Sequence, residues 1–148
     1  MKRPADKTSL LDQIQGLFVD TSFFAALGIA DDVHHQNALP MATKIEEHSI
    51  KLYTTWEIVA ETITLLRYRG GYSTATEFIH GTLPALEVVE TTPTDRRAAI
   101  TLFEKLSRDK LLSYCDLISY MVVTQHLDNM PCLAFDDDFK RLGLIVIT

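Results

Sequence analysis

Four carboxylates stand where isolated charges are expensive. Asp20 closes the strand-like run Leu17-Phe18-Val19, and Glu61 lies inside an apolar helix-like stretch. Asp116 sits in another such stretch, Leu112 to Val123, and Asp136 opens Asp136-Asp137-Asp138 after Cys132-Leu133-Ala134-Phe135. A carboxylate beside buried apolar segments must be compensated. One divalent cation compensates several at once, and all-oxygen ligands suit Mg²⁺ or Mn²⁺. The chemistry such a centre serves best is that of phosphate esters, whose charge repels a nucleophile until a cation neutralises it.

Each acid also has an ordinary explanation. Asp20 can cap the helix that follows it, Asp116 can complete a capping box with Ser113, and the Asp136 run can be a solvated turn. Glu61 is harder to explain that way. It lies beyond the first helical turn, among Ile58, Val59, Ala60 and Ile63, and the pattern Thr54-x-x-Glu57 assigns capping to Glu57 instead.

The elements that must position these acids alternate along the chain. Strands are expected at Leu17–Asp20, Lys51–Thr54, Leu86–Val89, Cys132–Phe135 and Leu144–Ile147. Helices are expected over 23–27, 33–48, from the Thr54-x-x-Glu57 box to about 69, over 72–80, from Pro93 to about 105, and from Ser113 to about 127, with Gly70-Gly71 stopping one of them. This alternation predicts an α/β fold, a three-layer sandwich around a mostly parallel sheet of about five strands. Ligands of such sheets gather at the carboxyl ends of the strands, where Asp20 and Asp136 fall.

Bulk properties agree with one domain. The chain has 148 residues, 47% hydrophobic and 23% charged, and residues 1–16 read as a polar N-terminal arm ahead of a domain over 17–148. No apolar run is long enough to span a bilayer and no signal-like segment opens the chain, so a cytoplasmic location is expected. Cys115 and Cys132 read as buried thiols. The net charge of -6 does not suggest a general nucleic-acid binder but leaves open a nuclease, whose acids bound cations would offset. Arg67 with Arg69, Arg96 with Arg97, and Lys140 with Arg141 read first as solvated faces, with Lys140 and Arg141 the best candidates for phosphate contact. His34 and His35 read as exposed or packing residues, and Trp56, Phe23 and Phe24 as core or interface.

Four segments together resemble the PIN domain family. Phe18-Val19-Asp20-Thr21-Ser22 is similar to its opening strand and Asp-Thr-Ser motif, and Thr54 to Glu61 to its second, Glu-bearing helix. Leu112 to Ser119 resembles its third segment, and Leu133-Ala134-Phe135-Asp136-Asp137-Asp138-Phe139 its fourth, with Ala134 where that family often has Thr or Ser. Within the family the layout is most like the VapC-type toxins of toxin–antitoxin pairs. The resemblance implies that Asp20, Glu61, Asp116 and Asp136 hold Mg²⁺ or Mn²⁺ and that Asp138 is an outer member of the site. It implies that Ser22 and Ser113 orient carboxylates or water. The implied reaction is hydrolysis of RNA by water, leaving a 5′-phosphate. A cognate antitoxin that inserts a cationic side chain, and homodimerisation, are further implications. Rival readings are a PIN endonuclease of RNA processing outside any toxin pair, and a non-catalytic PIN binding module. A receiver domain would need paired acids after the first strand and a late Lys, and a haloacid-dehalogenase phosphatase would need Asp where Ser22 stands.

Overall fold

The computed structural model describes residues 11–148. Five strands, β1 (Gly16–Val19), β2 (Lys51–Thr55), β3 (Glu87–Val89), β4 (Cys132–Leu133) and β5 (Val146–Ile147), form one sheet in the order β3-β2-β1-β4-β5. Every neighbouring pair is parallel. The expected fold class is therefore observed. The last two strands are shorter than expected, because the chain turns away after Leu133 to make the acidic loop.

The helices are α1 (Thr21–Gly28), α2 (His35–Glu47), α3 (Trp56–Gly70), α4 (Tyr72–Glu77), α5 (Pro93–Leu106), α6 (Tyr114–Gln125) and the short α7 (Asp138–Arg141). A π-helical turn (Phe78–Thr82) and a 3₁₀ turn (Leu83–Ala85) continue α4 towards β3. With this strand order, the right-handed crossovers that parallel sheets adopt put α1 to α4 on one face and α5 to α7 on the other. Packing agrees: α1 lies on α2 and α3, α3 on α4, and α6 on α5 and α7.

The sheet explains why β1 reads as an unbroken apolar run. Leu17, Phe18 and Val19 are fully buried, as a central strand covered on both faces requires. Burying three such side chains contributes about 1.5–3 kcal/mol each. Between β1 and β4 the strand order reverses, and this switch point opens a crevice at the carboxyl ends.

Several local expectations are corrected. The N-cap of α3 is Thr55, whose hydroxyl accepts from Ile58 N–H at 3.2 Å, and not Thr54. Thr54 is fully buried within β2 and donates to the Val19 carbonyl at 3.1 Å, so its hydroxyl is already used. Glu57 accepts from Thr91 Oγ1 at 2.7 Å and faces Arg96, so it does not close a box. Trp56 is half exposed, and its indole N–H donates to Glu90 at 3.0 Å. Phe23 and Phe24 are core residues as expected. Helix α3 ends where Gly71 takes φ of +92°, a conformation that favours glycine. Residues 1–10 of the expected arm lie outside the described residues; of the remainder, Leu11 packs into the core and Gly16 begins β1.

Candidate metal centre

Asp20, Glu61, Asp116 and Asp136 line one cavity of about 450 Å³, together with Ser22, Ser113 and Asp138. The chain thus brings together acids separated by more than a hundred positions. Lys140 and Arg141 do not line it: Arg141 pairs with Asp138 at 3.3 Å, and Lys140 faces a neighbouring cleft.

Each acid is fixed by a local device. Asp20 caps α1, accepting from Ser22 N–H at 3.2 Å and from the Ser22 hydroxyl at 2.7 Å. The same Ser22 oxygen accepts from Phe135 N–H at 3.0 Å. One hydroxyl therefore ties the end of β1 to the loop after β4. Asp136 accepts from Asp138 N–H at 3.2 Å, closing the acidic turn on itself.

Asp116 sits in a complete capping box. Ser113 N–H donates to Asp116 Oδ2 at 2.9 Å, and Asp116 N–H donates to Ser113 Oγ at 3.1 Å. The ordinary and the functional readings of Asp116 hold together, because the capping carboxylate still borders the cavity. Ser113→Ala is expected to cost about 1 kcal/mol of stability, the usual value of a lost N-cap, read as a lower urea midpoint.

Glu61 is exposed rather than buried, which corrects the sequence expectation. It is held by Thr21, whose hydroxyl donates to Glu61 Oε2 at 2.7 Å and in turn accepts from Thr62 Oγ1 at 3.3 Å. Thr21→Val is expected to leave the fold intact and free Glu61, lowering the apparent Mg²⁺ affinity about 10–100-fold, as loss of a supporting hydrogen bond does at metal sites. A Mg²⁺ titration of thermal stability checks this.

The electrostatics of the cavity follow from burial and from the closeness of its acids. Burial first, and then the neighbouring Asp136, push the Asp20 carboxyl up to about 8. Burial, with Asp138 and Asp136 adding to it, raises Asp116 to about 6 against the opposing Ser113 hydrogen bonds. Burial and Asp136 raise Asp138 as well. The field reaches a neighbouring thiol: burial and then Asp20 push Cys132 up to about 12. Burial first, and the neighbouring carboxylates second, thus hold these groups protonated to higher pH than free carboxyls.

Among the described residues no three His, Cys, Asp or Glu side chains already form a closed coordination cluster. The donor set nonetheless fits a magnesium-type ion, because it is all oxygen, bears several charges and borders space for the waters such an ion keeps. Sequence reasoning missed Thr21 as the holder of Glu61. It also missed Asp32 and Arg69, which line the cavity and pair at 3.2 Å, and His34, which stacks on Phe135. His35 packs: its Nδ1–H donates to the Ala26 carbonyl at 2.7 Å. Contacts such as Thr21 to Glu61 span 40 positions and leave no local signal.

Known proteins resemble this chain in sequence and fold. The family model of the PIN domain matches residues 17–144. A VapC ribonuclease of Archaeoglobus fulgidus is 29% identical over 125 residues, covering 82% of this chain and 78% of that protein. The 23S rRNA-specific endonuclease VapC20 of Mycobacterium tuberculosis is 30% identical over 133 residues, covering 88% of this chain and 97% of that one. The crystal structure of M. tuberculosis VapC20, described as a sarcin-ricin loop cleaving toxin, superposes with a TM-score of 0.70 at 29% identity, covering 87% and 96% of the two chains. With its switch-point acids and a match over almost the whole described chain, this protein belongs to the PIN domain family.

Proposed function

We infer that the protein is a metal-dependent endoribonuclease of the VapC toxin type, cutting RNA phosphodiester bonds by hydrolysis. The observation that carries this reading is the convergence of Asp20, Glu61, Asp116 and Asp136 on one cavity at the switch point of the sheet. These four residues would hold Mg²⁺ or Mn²⁺. When bound, the ion supplies charge neutralisation and a water of lowered pKa.

The chain's own residues do the rest. Ser22 holds Asp20 against the β4 loop, Thr21 holds Glu61, and the Ser113 box holds Asp116. Fixing the acids before substrate arrives removes the reorganisation that a loose site would need. Asp138 shapes the turn that presents Asp136.

A ribonuclease of this type harms its host unless neutralised. The acidic cavity suits a cationic side chain of an antitoxin, placed near Asp20 and Asp116. The partner we propose is a small antitoxin encoded beside this protein; pairing of two copies of the toxin and residence in the cytoplasm belong to the same reading. Among the described residues no helix is long and apolar enough to cross a membrane.

The test is cleavage of total RNA by purified protein with Mg²⁺ or Mn²⁺, with EDTA, and with Asp20→Ala and Asp116→Ala. Cutting that needs the ion and both acids is the expected result. Cutting that survives EDTA or either substitution would sink the metal-dependent reading.

A further inference from the structure

The acid cavity poses a problem for a polyanionic substrate, because its lining is rich in carboxylates. Among the described residues its one lining Lys or Arg, Arg69, is already paired with Asp32. A second cleft, also of about 450 Å³, adjoins it. That cleft is lined by Lys44, Lys140 and Asn37, which are donors toward phosphate. Lys140 is only loosely engaged, 4.0 Å from the exposed Asp137, and no ion pair of Lys44 occurs among the described residues.

The two cavities share two residues, His34 and Phe135. Their rings lie parallel, 5° apart in plane with centroids 4.7 Å apart. Phe135 occupies one face of the imidazole, and His34 lines both cavities. The pair is also mechanically tied to the acids, because Phe135 N–H donates to the Ser22 hydroxyl that donates to Asp20. A flat ring between a phosphate-attracting cleft and a phosphate-cutting cavity is the arrangement that seats a single-stranded nucleotide: base on the ring, backbone on the lysines.

We propose that the cleft behind His34 and Phe135 binds the RNA segment flanking the scissile phosphate, with a base against His34 and backbone phosphates on Lys44 and Lys140. The proposal rests on the ribonuclease reading, and binding is read separately from cutting so that the two can fail independently.

The probe is a labelled, mixed-sequence single-stranded RNA, with affinity followed by fluorescence anisotropy over a salt series in EDTA, so that the probe is not cut. Lys44→Gln and Lys140→Gln should each flatten the dependence of log affinity on log salt by about 0.7, the value of one lost phosphate contact on a single strand. His34→Ala should weaken binding about tenfold without changing that slope, and His34→Phe should restore it, because stacking needs a ring and not a charge. Lys51→Gln, at the opposite end of the sheet, should change nothing. Unaltered affinity and slope in the lysine and His34 variants, or no binding of this RNA by the wild type, overturns the proposal. Binding that responds as predicted in a protein that cuts no RNA would uphold the cleft and overturn the nuclease reading instead.

Discussion

Replacing Asp20 by Asn is expected to cut RNA cleavage at least about a hundredfold while making the metal-free protein harder to unfold. The loss of activity has a lower bound in what merely disturbing a metal ligand's support costs. The gain in stability follows from the raised carboxyl. A group whose folded pKa lies above its unfolded value adds stability below the unfolded pKa and loses it as pH rises through the folded one. For Asp20 that window runs from 3.8 to about 8. Each unit is about 1.4 kcal/mol, so about 4 kcal/mol is the ceiling at pH 7. Sharing the proton with Asp136 lowers the gain to about 1–3 kcal/mol. Asn keeps an oxygen to accept the Ser22 hydrogen bonds and carries no charge to desolvate. Urea midpoints in EDTA should therefore rise for Asp20→Asn at pH 7, and the difference should shrink towards pH 4. A variant less stable than wild type at pH 7, with cleavage retained, would contradict both halves. This opposition of stability and activity is the usual mark of a strained functional site.

Phe139→Ala is expected to produce the largest loss of stability, about 3–5 kcal/mol, a large share of what a domain of this size holds in reserve. Phe139 is fully buried and follows the acidic turn directly. Its ring lies 6.2 Å from that of Phe18 on the central strand. The side chain thus moors α7, and with it Asp136 and Asp138, to the sheet. Removing it leaves a cavity under the turn and releases the loop that carries two of the acids. The urea midpoint should fall sharply, and the fraction that stays folded should bind Mg²⁺ more weakly than wild type. Phe139→Leu should cost less on both counts. A variant with Ala at this position that kept wild-type stability would show that the turn is held by its own hydrogen bonds alone.

What the sequence revealed and what it hid divide along physical lines. The strands were legible because buried parallel strands are continuous apolar runs, as Leu17 to Val19 are. Helix starts were legible where the cap is local: Ser113 and Asp116 are three positions apart and form the box that their spacing predicts. The same logic failed by one position at α3, because Thr54 and Thr55 are chemically alike and only the sheet register decides which faces Val19. The acids were legible as a set because each follows or interrupts an apolar element. Their supports were not. Thr21 and Glu61, or Ser22 and Phe135, meet only when the sheet has formed, 40 and 113 positions apart. Lys140 was read as a phosphate contact because it follows the acids in sequence, and the turn of α7 places it at the next cleft.

The family assignment sits comfortably with these details. The relatives named above span most of their length with this chain, and the acids occupy the crevice that open parallel sheets use for ligands. Burial and neighbouring acids that push Asp20 up to about 8 and Asp116 up to about 6 are what the proposed cation site leads one to expect.

That claim is tested most directly by calorimetric titration of Mg²⁺ into the protein at pH 7, repeated in buffers of different ionisation enthalpy. A cation that enters among raised carboxyls must displace their protons. Binding should release on the order of one proton per protein, and Asp20→Asn should abolish both the binding and the release. Mg²⁺ binding that releases no proton, or that persists in Asp20→Asn, would contradict the account.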